Sequence, residues 1–201
     1  MSYKVLVIPE DFTKDEHILK PLAERILQES GKPNAKVAVC RDPNFGGIGE
    51  ALKTERLRQE VIARYPMVDL FILVVDRDGV AGRETALGQI EATLQGEFAG
   101  SGRRFVAGAA WQEVEVFILA GHDLPSDWSW QEIRADPDVK NTYFQRLAAT
   151  KNTSQLPHQG RKKLMAQAIQ NWGRIKSRCP EDIGSLLSRL ATAAQARHGS
   201  S

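Results

Sequence analysis

Residues 70–79 read LFILVVDRDG, six apolar side chains followed by two carboxylates, Asp76 and Asp78, two positions apart. A run of that kind reads as a buried strand, so the acids fall where it meets water. Two further acidic pairs follow short apolar runs: Glu10 and Asp11 after YKVLVIP, and Glu113 and Glu115 after RRFVAGAA. In an open parallel sheet, ligands gather at the carboxyl ends of the strands, where loops and helix N-termini converge. Carboxylates crowded there repel one another and raise each other's pKa. A hard divalent cation removes that cost, and Mg²⁺ takes one or two carboxylates while keeping positions for water and phosphate oxygens. The expectation for Glu10, Asp76 and Asp78 is therefore that the strand ends deliver a divalent metal to the sheet edge. The same residue types also serve plainer ends. Asp after a strand forms turns and caps helices, Asp-Gly is itself a turn signal, and Asp78 suits that role better than Asp76.

The elements that must position these acids alternate along the first 121 residues. YKVLVIP (3–9), AKVAVC (35–40), DLFILVV (69–75) and RRFVAGAA (103–110) read as strands, short and without the polar alternation of a half-exposed sheet. Between them, TKDEHILKPLAERILQES has Ile18, Leu22 and Ile26 at helical spacing, Thr13 and Glu16 at the spacing of a capping box, and Pro21 as a source of bending. Residues 48–65 and ETALGQIEATLQGEF predict two more helices. Strand and helix in strict alternation imply an α/β fold, a largely parallel four-stranded sheet with helices on both sides. Strands one and three can then be neighbours, which would bring Glu10 within reach of Asp76 and Asp78. EVEVFILAG (113–121) suits either a strand or a helix and is read as a helix stopped by Gly121.

Beyond Gly121 the pattern changes. DLPSDWSWQEI reads as a turn-rich connection, and NTYFQRLAATKN, RKKLMAQAIQNWGRIKSRC and PEDIGSLLSRLATAAQ as three helices, the last opened by Pro180. HGSS at the end is expected to fray. The division expected is an α/β unit over 1–121 and a helical extension over 122–201.

Composition sets outer limits. The chain has 201 residues, enough to bury a sizeable core, with 42% apolar and 26% charged residues and a formal net charge of +2. No run reaches the roughly 18 apolar residues of a membrane span, and the N-terminus passes straight into a strand without the look of a signal peptide. Cys40 and Cys179 fit no metal spacing and no disulfide framework, which points to a reducing, cytoplasmic home without a membrane partner.

VLVIPEDFTKDEHIL and LFILVVDRDG together resemble the TOPRIM domains of topoisomerases, primases and the nucleases of the OLD group, which carry a Glu after the first strand and Asp-x-Asp after the third. The resemblance spans about residues 3–121 and is closest to the small stand-alone, OLD-nuclease-like type. It keeps Glu10 and Thr13, but has Asp11 where the OLD-like branch has Gly and Lys14 where it has an acid, with Asp15 one step later. EVEVFILAG is similar to a helix start of the stand-alone proteins and puts Glu115 at the matching position. What the resemblance implies is a Rossmann-like sheet and a phosphodiester hydrolase using Mg²⁺ or Mn²⁺ held by Glu10 and Asp76, with Asp78, Glu115 and Asp15 as further ligands. The partner implied is nucleic acid, DNA before RNA, in phage defence or repair. OLD-like nucleases often work with an ATPase. This chain has no Walker motif, so a separately encoded ATPase is an expected partner, and a non-catalytic binding subunit of such a complex is an alternative.

A basic stretch supports a polyanion partner. From Val139 to Pro180 there is no acid, while Lys140, Arg146, Lys151, Arg161, Lys162, Lys163, Arg174, Lys176 and Arg178 are basic. Lys151, Arg161, Lys162, Lys163, Arg174 and Lys176 are the candidate phosphate contacts, with Trp172 or Tyr143 available to stack on a base, although a solvated helical face would have the same composition. A Lys from 151, 162 or 163 is also a candidate for steadying charge at the metal site. DPNFGGIGEAL lacks the spacing of a phosphate-binding loop, and the four histidines are scattered. VVDRDG also resembles the Asp-x-Asp-Gly of haloacid-dehalogenase-like phosphatases, which would make Asp76 a nucleophile but would leave Glu10 without a role.

Overall fold

The computed structural model describes residues 2–195; the HGSS tail and His198 lie outside the described residues. Strands β1 (Lys4–Pro9), β2 (Lys36–Val39), β3 (Leu70–Asp76) and β4 (Arg104–Ala110) form one parallel sheet in the order β2-β1-β3-β4. Val7 stands beside Ile72 and Val74 beside Gly108, so β1 and β3 are neighbours as expected. Successive side chains of a strand point to opposite faces, and β1, β3 and β4 each feed two cores. Val5, Val7, Leu70, Ile72 and Val74 enter one of them. Leu6, Ile8, Phe71, Leu73 and Val75 enter the other.

Helix α1 (Phe12–Glu29) covers the first face with Ile18, Leu19, Leu22, Ala23, Ile26 and Leu27. Its cap is Asp11, which accepts the Thr13 amide at 2.9 Å and the Thr13 hydroxyl. The expected Thr13–Glu16 box does not form, because Asp11 reaches the amide first and Glu16 turns to Arg41 at 2.9 Å. Pro21 lies within the helix, which continues to Glu29. The single helix expected over 48–65 is instead α2 (Ile48–Ala51), α3 (Thr54–Arg56) and a π-helical turn at Leu57–Ile62, interrupted where Lys53 is extended. Helix α4 (Arg83–Glu97) completes the second face. The outer strand β2 alternates between exposed and half-buried residues, contrary to expectation, because it has a neighbour on one side only.

EVEVFILAG contains α5 (Val116–Gly121), wholly buried. The supposed connection after it contains α6 (Trp130–Ala135). Then follow α7 (Gln145–Thr150), α8 (Arg161–Ala168), α9 (Trp172–Arg178) and α10 (Ser185–Gln195), with short π and 3₁₀ turns between them. These helices share the core of β1, β3 and α1 through Leu164, Met165, Trp172, Ile175 and Leu186. Helix α10 and α4 also close the free edge of β4. Glu91 accepts the Ala107 amide at 2.7 Å, Gln95 accepts the Phe105 amide at 3.0 Å, and Arg189 donates to the Ala107 carbonyl at 2.7 Å. An edge occupied in this way offers no template to another strand. No helix among the described residues is long and apolar enough to cross a membrane.

The close approach of α5 and α8 depends on Gly121, where a Cβ would lie 2.5 Å from the Ala168 carbonyl oxygen. Gly121→Ala is expected to destabilise the protein by about 1–3 kcal/mol through overpacking. Gly88→Ala in α4, where a Cβ meets nothing within 4 Å, should leave stability unchanged or raise it. Thermal unfolding of the two variants beside wild type checks the pair.

Candidate functional site

Four carboxyl groups meet electrostatically at the C-terminal edge of the sheet. Glu10 follows β1 directly, and the first turn of α1 brings Asp15 inward, 8% exposed. Asp76 is the last residue of β3 and pairs with Ala110 of β4. Glu115, 3% exposed, stands at the start of α5. Backbone amides fix two of these side chains: Val114 donates to Asp76 Oδ1 at 2.9 Å and Asp11 to Asp15 Oδ2 at 3.1 Å.

Burial dominates their electrostatics. It pushes Asp76 well above the ordinary carboxylate range, and the charges of Asp15, Glu115 and Glu10 push further against the Val114 amide. Burial likewise takes Asp15 up to about 7; the Asp11 amide opposes the shift, and Glu115, Asp11 and Glu10 add to it. Glu10 is raised by burial and by Asp78, while the amides of Asp76 and Ile48 and the Arg83 guanidinium pull the other way. Its Oε2 is buried with no hydrogen-bond partner among the described residues.

Two cations answer the acids after β4. Arg161 at the start of α8, 2% exposed, donates to Glu115 through Nε at 3.0 Å and, more closely, through Nη2. Its Nη1 bonds the His158 carbonyl at 2.9 Å, and its guanidinium lies 4.7 Å from the Phe144 ring centroid. Glu113 accepts the Lys140 amide at 2.6 Å and faces Lys140 Nζ at 3.3 Å.

Asp78 sits differently. Its side chain is 43% exposed, its φ is +51°, and Arg83 Nη2 is 3.5 Å away. It forms the turn that Asp-Gly announces, while still bearing on Glu10. That turn is locked to Gln112, itself buried at φ +74°: its carbonyl accepts the amides of Arg77 at 2.7 Å and Asp78 at 3.1 Å, and its Oε1 accepts the Gly79 amide at 2.7 Å. Nothing in the sequence marks Gln112 for this role.

The basic stretch does not form one open strip. Arg161 is buried on Glu115, Lys140 is on Glu113, Arg174 bonds Asp123 at 2.6 Å and Lys176 bonds Glu29 at 2.6 Å. Arg178 donates to the carbonyls of Ala120 and His122. Lys151, Lys162 and Lys163 are exposed. Trp172 is buried with its indole donating to Glu29, and Tyr143 packs edge-on against Trp128, so both rings serve packing. Two of the scattered histidines come together, His17 and His158, with ring centroids 4.8 Å apart.

The donor atoms are all oxygen, the kind a hard cation takes, and Glu10 Oε2 has no hydrogen-bond partner among the described residues. Among the described residues no three Asp, Glu, His or Cys side chains converge to the spacing that would hold an ion together. The class defined is an α/β protein with a four-stranded parallel sheet, a carboxylate cluster at its C-terminal edge and a helical C-terminal region. No protein-family model, no curated protein and no solved structure matches the chain.

An acid whose pKa is raised by folding stabilises the fold below its ordinary pKa and loses that contribution as pH rises through the folded value. Asp15 moves from 3.8 to about 7, and Asp76 and Glu10 move the same way, so metal-free protein should lose stability as pH rises from about 4 to above 7. Melting temperatures measured across that range in EDTA should fall, and Asp15→Asn should flatten the slope. Arg161→Met leaves Glu115 buried and unpaired and should cost about 3–5 kcal/mol. Adding Glu115→Gln to that variant should recover much of the loss in the same melting experiment.

Proposed function

We propose that the carboxylate cluster is the metal site of a TOPRIM-like phosphodiester hydrolase acting on nucleic acid, DNA before RNA, with Mg²⁺ or Mn²⁺ as its cofactor. The observation that carries this reading is the meeting of Glu10 after β1 with Asp76 at the end of β3, inside one buried, mutually repelling group that includes Asp15 and Glu115. A fold does not keep such a group together without a gain from it, because each buried carboxyl raises the cost of ionising the next. The sheet order 2-1-3-4 makes β1 and β3 neighbours, which lets the two motifs share one site.

Glu10, with its unpartnered oxygen, and Asp76 would be the principal ligands, with Asp15, Glu115 and Asp78 beside them. A bound divalent cation supplies Lewis-acid polarisation of the phosphate and a more acidic water. The chain's own contribution is positional. The Val114 amide orients Asp76, the Asp11 amide orients Asp15, and the Gln112 lock holds the DRDG turn in place. Arg161 holds the Glu115 carboxyl in place at the start of α5 through Nε and Nη2. Exposed Lys151, Lys162 and Lys163 are the remaining candidates for phosphate contacts outside the cluster.

The phosphatase reading has less support. It gives Glu10 nothing to do, whereas the charge of Glu10 bears on the electrostatics of Asp76.

The test is cleavage of supercoiled plasmid, single-stranded DNA and RNA with Mg²⁺ or Mn²⁺. Wild type should cleave, and Glu10→Ala and Asp76→Ala should each lose at least about a hundredfold. At pH 8 the same ions should raise the melting temperature of wild type but not of Asp76→Ala. Turnover of p-nitrophenyl phosphate that needs Asp76 and not Glu10 would replace this reading with the phosphatase. Inertness on every substrate, with metal still bound, would favour a binding subunit that works with a separate ATPase.

A further inference from the structure

The carboxylate cluster leaves two imidazoles unused. His17 on α1 and His158 in the turn before α8 meet with ring centroids 4.8 Å apart and planes inclined at 43°. Zn²⁺ takes imidazole nitrogens at about 2.0–2.1 Å, which puts the centroids of two rings on one ion about 5 Å apart. The pair already has that separation. Among the described residues neither ring makes a hydrogen bond, and the last torsion of a His side chain is broad, so the rings can turn a nitrogen each toward one point without moving the backbone. His17 is half-buried and His158 exposed, so solvent reaches them both.

The turn that presents His158 is a costly one. His158, Gln159 and Gly160 have φ of +53°, +55° and +74° in succession. Gly160 is explained by Thr153, which leaves no room for a Cβ there. The left-handed region admits His more readily than Gln, and the two together place an imidazole against another at the surface, where burial gains little. Arg161 ties the turn down, its Nη1 holding the His158 carbonyl at 2.9 Å. Of the charges that bear on His17, Glu16 is paired with Arg41 and Arg161 with Glu115, which leaves the exposed Lys162, on a flexible stem that can turn away.

We propose that His17 and His158 form a second metal site, for a transition-metal ion of the Zn²⁺ type, with water completing its shell. Imidazole nitrogen suits Zn²⁺, Ni²⁺ and Cu²⁺, whereas carboxylate oxygen suits Mg²⁺ and Mn²⁺. The site is therefore chemically distinct from the cluster and does not rest on the hydrolase reading. An ion held there ties α1 to the start of α8, beside the Arg161–Glu115 pair, and so staples the helical region to the sheet domain.

The test titrates the full chain, without a histidine tag, with zinc chloride by calorimetry and with Cu²⁺ by electron paramagnetic resonance. The variants are His17→Gln and His158→Asn, the second chosen because Asn tolerates the left-handed backbone. Each should weaken Zn²⁺ binding at least about tenfold, the scale of losing even an outer-shell partner. The Cu²⁺ spectrum of wild type should show two nitrogen ligands, and that of either variant fewer. Zn²⁺ should raise the melting temperature of wild type and of Asp76→Ala but of neither histidine variant, and both histidine variants should melt with wild type in EDTA. Zn²⁺ binding that both histidine variants retain, or that Asp76→Ala abolishes, overturns the proposal. So does an ion held by one histidine alone, seen as affinity lost in one variant and kept in the other.

Discussion

Asp15 is buried and Asp76 half-buried near Glu10 and Glu115, and loss of solvent is the first cause of the rise in pKa at each of the two aspartates. The parallel sheet makes this crowding unavoidable. Neighbouring parallel strands end at the same edge, so acids that follow β1, β3 and β4 are delivered to one place whatever their loops do. The surroundings then compensate in part. Two backbone amides bond two of the carboxyls, Arg161 pairs with the third, and Arg83 bears on the fourth. What remains is a negative site with one oxygen of Glu10 unpaired among the described residues.

The supports come from positions with little freedom. The DRDG turn places Asp78 and Gly79 at positive φ, and both amides are anchored on Gln112, also at positive φ. A left-handed Gln and a left-handed Asp facing each other across a turn are costly conformations, of a kind that tends to collect at functional sites. Gln112 lies four residues before the start of α5, so the contacts that fix Arg77 and Asp78 also anchor the segment that carries Val114 and Glu115. The two strand ends are in this sense one rigid unit.

The sheet was legible because it rests on local signals. Runs such as LFILVV admit few readings, and alternation with helices fixed the parallel class. The neighbour relation of β1 and β3, on which Glu10 meeting Asp76 depends, is one that class allows and the fold adopts. Helix boundaries were less legible. Thr13 with Glu16 has the spacing of a cap, but Asp11 competes for the same amide, and one-dimensional spacing does not rank the two. Residues 48–65 have a helical composition, yet the chain breaks at Lys53, where tertiary packing of Phe45, Ala51 and Leu57 in one core outweighs propensity. In the site, residues of the right charge were visible and their partners were not. The basic run from Val139 to Pro180 has no acid within it, but Arg161, Lys140, Arg174 and Lys176 find acids from 27 to 147 positions away. Pairing over such separations is set by the fold and leaves no periodic trace.

The helical region bears on how the site is understood. A change of pattern at Gly121 marks where strands stop, but the core does not stop there. The face of the sheet formed by Val5, Val7, Ile72 and Val74 is buried together with Leu164, Met165 and Leu186. Arg161 reaches Glu115 from α8, Lys140 reaches Glu113 from the turn before α7, and Asp182 accepts the Trp111 amide at 3.0 Å from the turn before α10. Each acid or turn following β4 is therefore completed by a residue far along the chain. Helix packing and site electrostatics are coupled through these contacts. A change that loosened α8 from α5 would withdraw the Arg161 guanidinium from Glu115 and leave that carboxyl buried without its partner.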